Sequence, residues 1–448
     1  MTPKQWQAVW RWLIPMLVLA NAIVIFFFWW KISGYLIYRP MKGSWLIAGG
    51  HITGLAAQYL LLMQVVLVGR IRAFEEAYGF PALNRLHQTV GKWLLACIAL
   101  HPFLLAAGYA ARTSLGIWGQ LVDFVQHWED VSLALIGLSV ILIAGLLSFR
   151  FVKKYLRFET WYGTHLLMYV GIILVFGHQL EGGSMSNPSF LQFWLWLNGV
   201  GFGLVLAYRF LRPFALWFRH RFTITDIRQE TANIISLTLS GRLMDRFRLE
   251  PGQYANFHFF GLAPRWAAHP FSFSAAPNGK TLRVSVKQLG DFTNALPKIK
   301  VGTGVMIDGP LGRFTLSAAQ TDRYLLIAGG IGITPIRAML DTIAEQGKEA
   351  VLLYAARTPA DLAFRSEIDA IVKAHPNIRV IYLVESQEGD MMCHVGRVDE
   401  VCLRTYLDDV HAWDVYVCGP PIMMENVTAV LRKMGMPKRH IHSERFSW

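Results

Sequence analysis

The chain has 448 residues, of which 54% are hydrophobic and only 16% charged, with 16 Trp and 28 Phe; this excludes a disordered chain and is more apolar than an ordinary soluble protein of the size. Its formal charge of +13 is uneven, since residues through Pro213 hold 16 Lys/Arg against 7 Asp/Glu and the remainder 27 against 23. A basic excess lying among apolar runs reads as anchoring at a lipid bilayer; nucleic acid is not an expected partner, because that would need a basic face on the polar part.

Lys4 and Arg11 lead into a first apolar run, Trp12 to Trp30, and no small-residue cleavage site follows it cleanly, so a retained first span is expected. Further runs extend over Ser44–Val68, Gly91–Ala111, Val131–Phe149, Trp161–Gly177 and Phe190–Leu211. Each approaches the roughly 20 residues that cross a bilayer, which predicts a six-helix transmembrane bundle. Lys and Arg concentrate at the N-terminus, over Arg70–Arg85, over Arg150–Arg157 and at Arg209, Arg212, Arg219 and Arg221, about thirteen in all against about four on the other side. Both termini and the polar half are therefore expected in the cytoplasm, with the bundle in a bacterial-type inner membrane.

Ionisable residues inside spans are costly and are functional candidates by default. His87 and His101 lie 14 positions apart, just before and within the third run, and His165 and His178 lie 13 apart, within and just after the fifth. At about 1.5 Å per residue these separations are about 21 and 20 Å, so His87 matches His165 in depth and His101 matches His178. Paired imidazoles across two helices suit a haem iron that carries electrons, because both axial faces are filled. Helical phase raises one difficulty: 14 positions return to within about 40° of one face, but 13 land about 140° away. The fifth helix must then deform, and Gly171 and Gly177 are the positions where a kink or bulge is expected. His51 has no depth-matched partner and reads as a core or haem-propionate contact, and His127 as a solvated loop residue. Two pairs at this spacing on the third and fifth of six spans resemble the ferric reductase and NADPH oxidase family, which implies that the four histidines ligate two b-type haems.

After Trp217 the apolar runs shorten. Phe222–Leu239 and Thr281–Lys287 alternate with the period of strands, and closely spaced glycines at Gly252, Gly261, Gly290, Gly302, Gly304 and Gly309 suggest a small antiparallel β-barrel. From Tyr324 onward, strand-like runs at Tyr324–Ala328, Ala350–Ala355, Ile378–Leu383 and Asp414–Cys418 alternate with helical stretches such as Ile336–Glu345, which suggests a parallel-sheet α/β domain. The expected domains are residues 1–215, 216–319 and 320–448. The four cysteines form no CxxC pair, so neither zinc nor a disulfide scaffold is expected.

Three motifs in this half carry chemistry. His269-Pro270-Phe271-Ser272-Phe273-Ser274, followed by Lys287 and by Gly290-Asp291-Phe292-Thr293, offers an aromatic wall, a hydroxyl and positive charge, as a flavin requires. Gly329-Gly330-Ile331-Gly332-Ile333-Thr334-Pro335 lies between a strand and a helix, where glycines let amides approach a pyrophosphate. Cys418-Gly419-Pro420 closes a later strand, and its thiol could equally be a small buried hydrophobe. In this order, with a Gly309-Pro310-Leu311-Gly312 turn between the first two, they resemble the ferredoxin-reductase superfamily. The resemblance implies Ser272 beside the isoalloxazine, His269 and Phe271 packing the flavin, Lys287 and Thr293 at its phosphates, and Cys418 at the nicotinamide. It also implies an aromatic that covers the flavin near the C-terminus, Phe446, with Trp448 as competitor.

Arg357 follows Val351–Ala356, where a guanidinium could clamp a 2′-phosphate, and no acidic residue ends that strand, so NADPH is expected over NADH. The whole reads as a transmembrane oxidoreductase passing electrons from NADPH through FAD and two haems to oxygen or a ferric chelate outside. A membrane-anchored flavin reductase without haem, or a redox subunit that needs a further partner, are the alternatives.

Overall fold

A computed structural model of the chain describes residues 3–156, 158–180, 183–262, 268–386 and 393–444. It divides into two compact units, Met1–Phe210 and Leu211–Trp448.

The first unit is helical. Among the described residues five helices are long and apolar enough to cross a membrane: Gln5–Ile32, Ser44–Leu67, Phe80–Ala110, Thr160–Leu180 and Pro188–His220. The expected fourth span is Val131–Leu147, whose 17 residues rise about 25 Å and fall short of the roughly 30 Å hydrocarbon core. It meets the same test only together with Gly116–His127, from which it bends by 116°. The six-span expectation thus becomes five single helices, or six if the bent pair is one span. The third helix starts at Phe80, with Pro81 in its first turn, so His87 lies inside the helix although the apolar run begins only at Gly91. Asn187 caps the last span by accepting a hydrogen bond from the Phe190 amide at 3.1 Å.

Small residues let these helices approach. A Cβ on Gly137 would come within 2.7 Å of the Gly171 carbonyl oxygen, and one on Gly171 within 3.0 Å of the Gly137 carbonyl. Gly171 thus serves close packing of the fourth and fifth spans. The deformation expected there lies elsewhere: the fifth span breaks at Leu167, between helices Phe158–Leu166 and Met168–Leu180, where the Leu167 amide bonds back only three residues to the Thr164 carbonyl. A second irregularity, a π-helical turn over Leu206–Leu211, ends the sixth apolar run.

In the second unit, strands β1 (Thr223–Thr231), β2 (Ile234–Ser240), β3 (Tyr254–Phe259), β4 (His269–Ser272), β5 (Leu282–Lys287) and β6 (Val305–Leu311) form two three-stranded antiparallel sheets, ordered β1-β2-β5 and β4-β3-β6. Single bridges, Thr223 to Gly304 and Phe273 to Val284, join them at their margins. The barrel expectation is therefore met by two bridged sheets and not by one continuous ladder. The shared core holds Phe222, Leu237, Phe257, Phe273, Val284 and Ile307, all fully buried.

Strands β7 (Arg323–Gly329), β8 (Glu349–Ala356), β9 (Ile378–Val384), β10 (Cys393–Val395), β11 (Asp414–Cys418) and β12 (Ile441–Ser443) form one parallel sheet in the order β10-β9-β8-β7-β11-β12. The chain winds one way from β7 to β10 and returns to the other side of β7 with β11, so the order reverses between β7 and β11. Ligands of open α/β sheets bind at such a reversal, outside the carboxyl ends of the strands.

Candidate functional site

In the membrane unit, the rings of His87 and His165 face each other across two helices with centroids 6.2 Å apart. An imidazole nitrogen lies about 1.1 Å from its ring centre and metal–imidazole bonds are about 2.0 Å, so two imidazoles on opposite sides of one metal stand about 6.2 Å apart. His101 and His178 lie within electrostatic reach of each other. Among the described residues no three His, Cys, Asp or Glu side chains cluster, so imidazole pairs are what the bundle offers a metal.

In three of these histidines Nδ1 is held by a hydrogen bond. His87 Nδ1 lies 3.2 Å from the Gln64 carbonyl, and the Gln64 side chain returns the contact by donating to the His87 carbonyl at 2.8 Å. His101 Nδ1 lies 2.8 Å from the Gly50 carbonyl, and a Cβ on Gly54 would strike the His101 ring at 2.6 Å. A carbonyl oxygen only accepts, so in both histidines Nδ1 carries the proton and Nε2 keeps its lone pair. His165 Nδ1 lies 3.1 Å from the Ser148 hydroxyl. His178 Nδ1 is buried and turned toward the Val175 carbonyl without hydrogen-bond geometry. Nε2 is thus available in His87 and His101, and their pairing with His165 and His178 fits haem iron. His51 bonds Ser33 at 2.8 Å and lies within electrostatic reach of His101. His127, expected in a loop, is the exposed last residue of helix Gly116–His127 and lies 3.0 Å from the Asp123 carboxylate.

The flavin motif falls on β4. Tyr254 pairs with Ser272 on one side and with Leu311 on the other. The Ser272 hydroxyl is buried and has no protein partner among the described residues. Such a group costs about 1–3 kcal/mol, which a ligand atom bonded there would recover, so its donor chemistry fits a flavin on this count. Strand alternation turns Phe271 away from Ser272, and its ring packs on Phe257 with centroids 6.1 Å apart. His269 stacks on Phe292 at 3.5 Å and 12°. Thr293, expected at the phosphates, has its hydroxyl committed to its own turn: it donates to the Gly290 carbonyl and accepts from the Leu289 and Gly290 amides at 2.9 and 3.0 Å. Lys287 ends β5, half-buried.

The nucleotide motif and the Cys-Gly-Pro turn meet at the carboxyl ends of β7 and β11. A Cβ on Gly329 would lie 2.8 Å from the Pro420 ring, one on Gly419 would lie 3.0 Å from Gly329, and one on Gly332 would collide with the Cys418 carbonyl. Gly330, by contrast, faces open space with φ of +53°, leaving a cradle of backbone before helix Ile333–Glu345. Within that helix Pro335 is buried, and Thr334 donates to the Ile331 carbonyl at 3.0 Å. Burial pushes the Cys418 thiol well above its ordinary range, so it is a neutral thiol at physiological pH. Arg357 is exposed at the end of β8, and its guanidinium has no partner among the described residues. Phe446 and Trp448 lie outside the described residues.

Sequence reasoning missed several groups. Glu444 is 9% exposed; its carbonyl lies 3.8 Å from Cys418 Sγ, and its carboxylate is the neighbour a Cβ on Gly312 would meet at 3.2 Å. It therefore borders both the flavin-side turn and the nicotinamide-side turn. Gln64 carried a readable signal as a polar residue inside a span, whereas the Gly50 carbonyl carried none.

Comparisons with known proteins cover both units. Residues 53–176 match the ferric reductase like transmembrane component, 219–315 an FAD-binding domain and 326–429 the oxidoreductase NAD-binding domain. A flavohemoprotein of Pseudomonas putida is 32% identical over 232 residues, 50% of this chain and 58% of that protein. The toluate 1,2-dioxygenase electron transfer component of Pseudomonas putida is 30% identical over 229 residues, 50% of this chain and 66% of that one. The chain thus spans less than two thirds of the length of either relative. Among solved structures, the FAD/NAD-binding domain of nitric oxide dioxygenase from Vibrio cholerae is 26% identical, with a TM-score of 0.45 over 50% of this chain and 98% of that one.

Proposed function

From its ferric reductase/NADPH oxidase-like architecture, a transmembrane component followed by FAD- and NAD-binding domains, we propose that this membrane oxidoreductase moves electrons from cytoplasmic NADPH to an acceptor on the opposite face, molecular oxygen or a ferric chelate. Its parts are a di-haem domain through residue 215, a flavin domain through 319 and a nucleotide domain through 448. The observation that carries the proposal is the 6.2 Å separation of the His87 and His165 rings together with the anchored Nδ1 atoms of His87 and His101.

The bound groups supply hydride acceptance at FAD and one-electron carriage at haem iron. The chain supplies position. His87 and His165 would hold the inner iron and His101 and His178 the outer, and the acceptor would take electrons without binding iron. Ser272 presents its hydroxyl to the flavin edge. The amides around Gly330 receive the dinucleotide pyrophosphate, Arg357 the 2′-phosphate, and Cys418 with Gly419 and Pro420 the nicotinamide. Glu444 joins this set by its contacts with Cys418 and Gly312.

Replacing one ligand tests the assignment. His101→Leu should remove about half of the haem absorbance while NADPH still reduces the flavin. An unchanged haem spectrum would contradict the ligand role.

A further inference from the structure

Three of the four histidines have Nδ1 within hydrogen-bond reach of an oxygen, and only one of those oxygens belongs to a side chain. We infer that Ser148 is the positioning residue of the inner haem site: its hydroxyl fixes the tautomer and ring orientation of His165 so that Nε2 faces the iron. This rests on the haem reading above.

The argument is a count of donors and acceptors. A serine hydroxyl has one hydrogen and two lone pairs. Ser148 follows the last residue of helix Val131–Leu147, and its Oγ lies 2.7 Å from the Ala144 carbonyl, which can only accept. The single hydroxyl hydrogen is therefore spent there. The indole nitrogen of Trp161, which can only donate, lies 3.2 Å from Oγ and takes one lone pair. His165 Nδ1, at 3.1 Å, meets the remaining lone pair and must bring its own hydrogen. The hydroxyl is then saturated, and the neutral imidazole has its free lone pair at Nε2.

Two further contacts keep the arrangement rigid. The Trp161 ring stacks on His165 with centroids 5.5 Å apart and planes at 24°, and Lys153 Nζ lies 3.5 Å from the centroid of the indole on its own account. Ser148 lies at a helix end and outside every motif, so no signal in the sequence marks it. An acceptor on the distal nitrogen of a ligating histidine makes the imidazole more basic, and loss of such partners typically weakens metal binding about 10–100-fold. A more basic ligand favours ferric iron, so removing the acceptor raises the midpoint potential of that haem.

The test uses the full chain purified in detergent, with haem quantified, each haem titrated by its absorbance, and the low-spin ferric signals recorded by electron paramagnetic resonance. Ser148→Ala should shift one ferric signal and raise one midpoint potential, leaving the other haem as in wild type. Ser148→Thr, which keeps the hydroxyl, should restore both. If Ser148→Ala fails to accumulate, Ser148→Thr and Ser148→Val make the same comparison, hydroxyl against methyl at equal size. Identical signals and potentials with and without the hydroxyl would overturn the role of Ser148. Wild-type protein that holds no haem would instead overturn the haem reading itself.

Discussion

Ser272 is the residue whose environment most directly asks for a ligand, because its hydroxyl is buried, 4% exposed, and has no protein partner among the described residues. If it bonds the flavin edge, Ser272→Ala should leave FAD content intact and slow flavin reduction by NADPH about tenfold, the rate equivalent of one hydrogen bond of about 1.4 kcal/mol. Stopped-flow absorbance under anaerobic conditions measures this, and an unchanged rate would remove Ser272 from the reaction. Arg357 is equally specific, being exposed at the end of β8 without a partner among the described residues. Arg357→Ala should raise KM for NADPH at least tenfold with KM for NADH little changed, and equal effects on the two would contradict the 2′-phosphate role. Residues of this kind were legible because glycine, histidine and the Phe-Ser alternation are rare enough in combination to be read. What escaped were acceptors without identity in sequence, such as the Gly50 carbonyl, and Glu444, whose nearness to Cys418 and Gly312 exists only after β11 and β12 pair.

Elements decide whether those residues can meet. The fourth and fifth spans touch backbone to backbone at Gly137 and Gly171, so a side chain at either must push them apart. Gly137→Val should therefore destabilise the bundle by about 1–3 kcal/mol, read as a lower temperature of haem loss, while Gly199→Val, facing open space, should not. Equal melting for the two would contradict the packing account. In the second unit the parts are tied by Glu367 on helix Arg365–Ala374, which takes Arg283 of β5 at 2.8 and 3.0 Å and Arg337 of helix Ile333–Glu345 at 3.0 Å. Burial alone would raise the Glu367 carboxyl, but the guanidiniums of Arg283 and Arg337 outweigh it and hold it below its ordinary range. A depressed carboxylate stabilises above its unfolded pKa of about 4.3, and that contribution is lost as pH falls through the lower folded value. Glu367→Gln should cost about 3 kcal/mol at pH 7, and its melting deficit should shrink toward pH 3; a constant deficit across that range would contradict the linkage. The histidine spacing foretold that the fifth span must deform but not where. Gly171 and Gly177 are the expected hinges because glycine permits bending, yet Gly171 packs closely on Gly137, Gly177 lies against the Asp130 carboxylate, and the break falls at Leu167, which carries no breaker signal. The fourth run, read as a full span, is too short as a helix because the chain turns sharply between His127 and Val131.

At the scale of the whole molecule, the apolar first part and the alternating second part were visible in composition alone, and the chain does divide into units at residues 210 and 211. Order was as informative as any motif: flavin strand, glycine turn, then Cys-Gly-Pro follow one another as the sheets require, and the last two converge at the reversal between β7 and β11. The two three-residue strands, β10 and β12, were too short to show a period. The central claim is that one chain carries electrons from NADPH through flavin to haem. Its most direct test is the anaerobic absorption spectrum of the detergent-purified protein before and after NADPH, with haem and flavin quantified on the same sample. The account predicts FAD and about two b-type haems per chain, all reduced by NADPH and reoxidised by oxygen or ferric citrate admitted separately. Protein without haem, or haem that NADPH leaves oxidised, would contradict it.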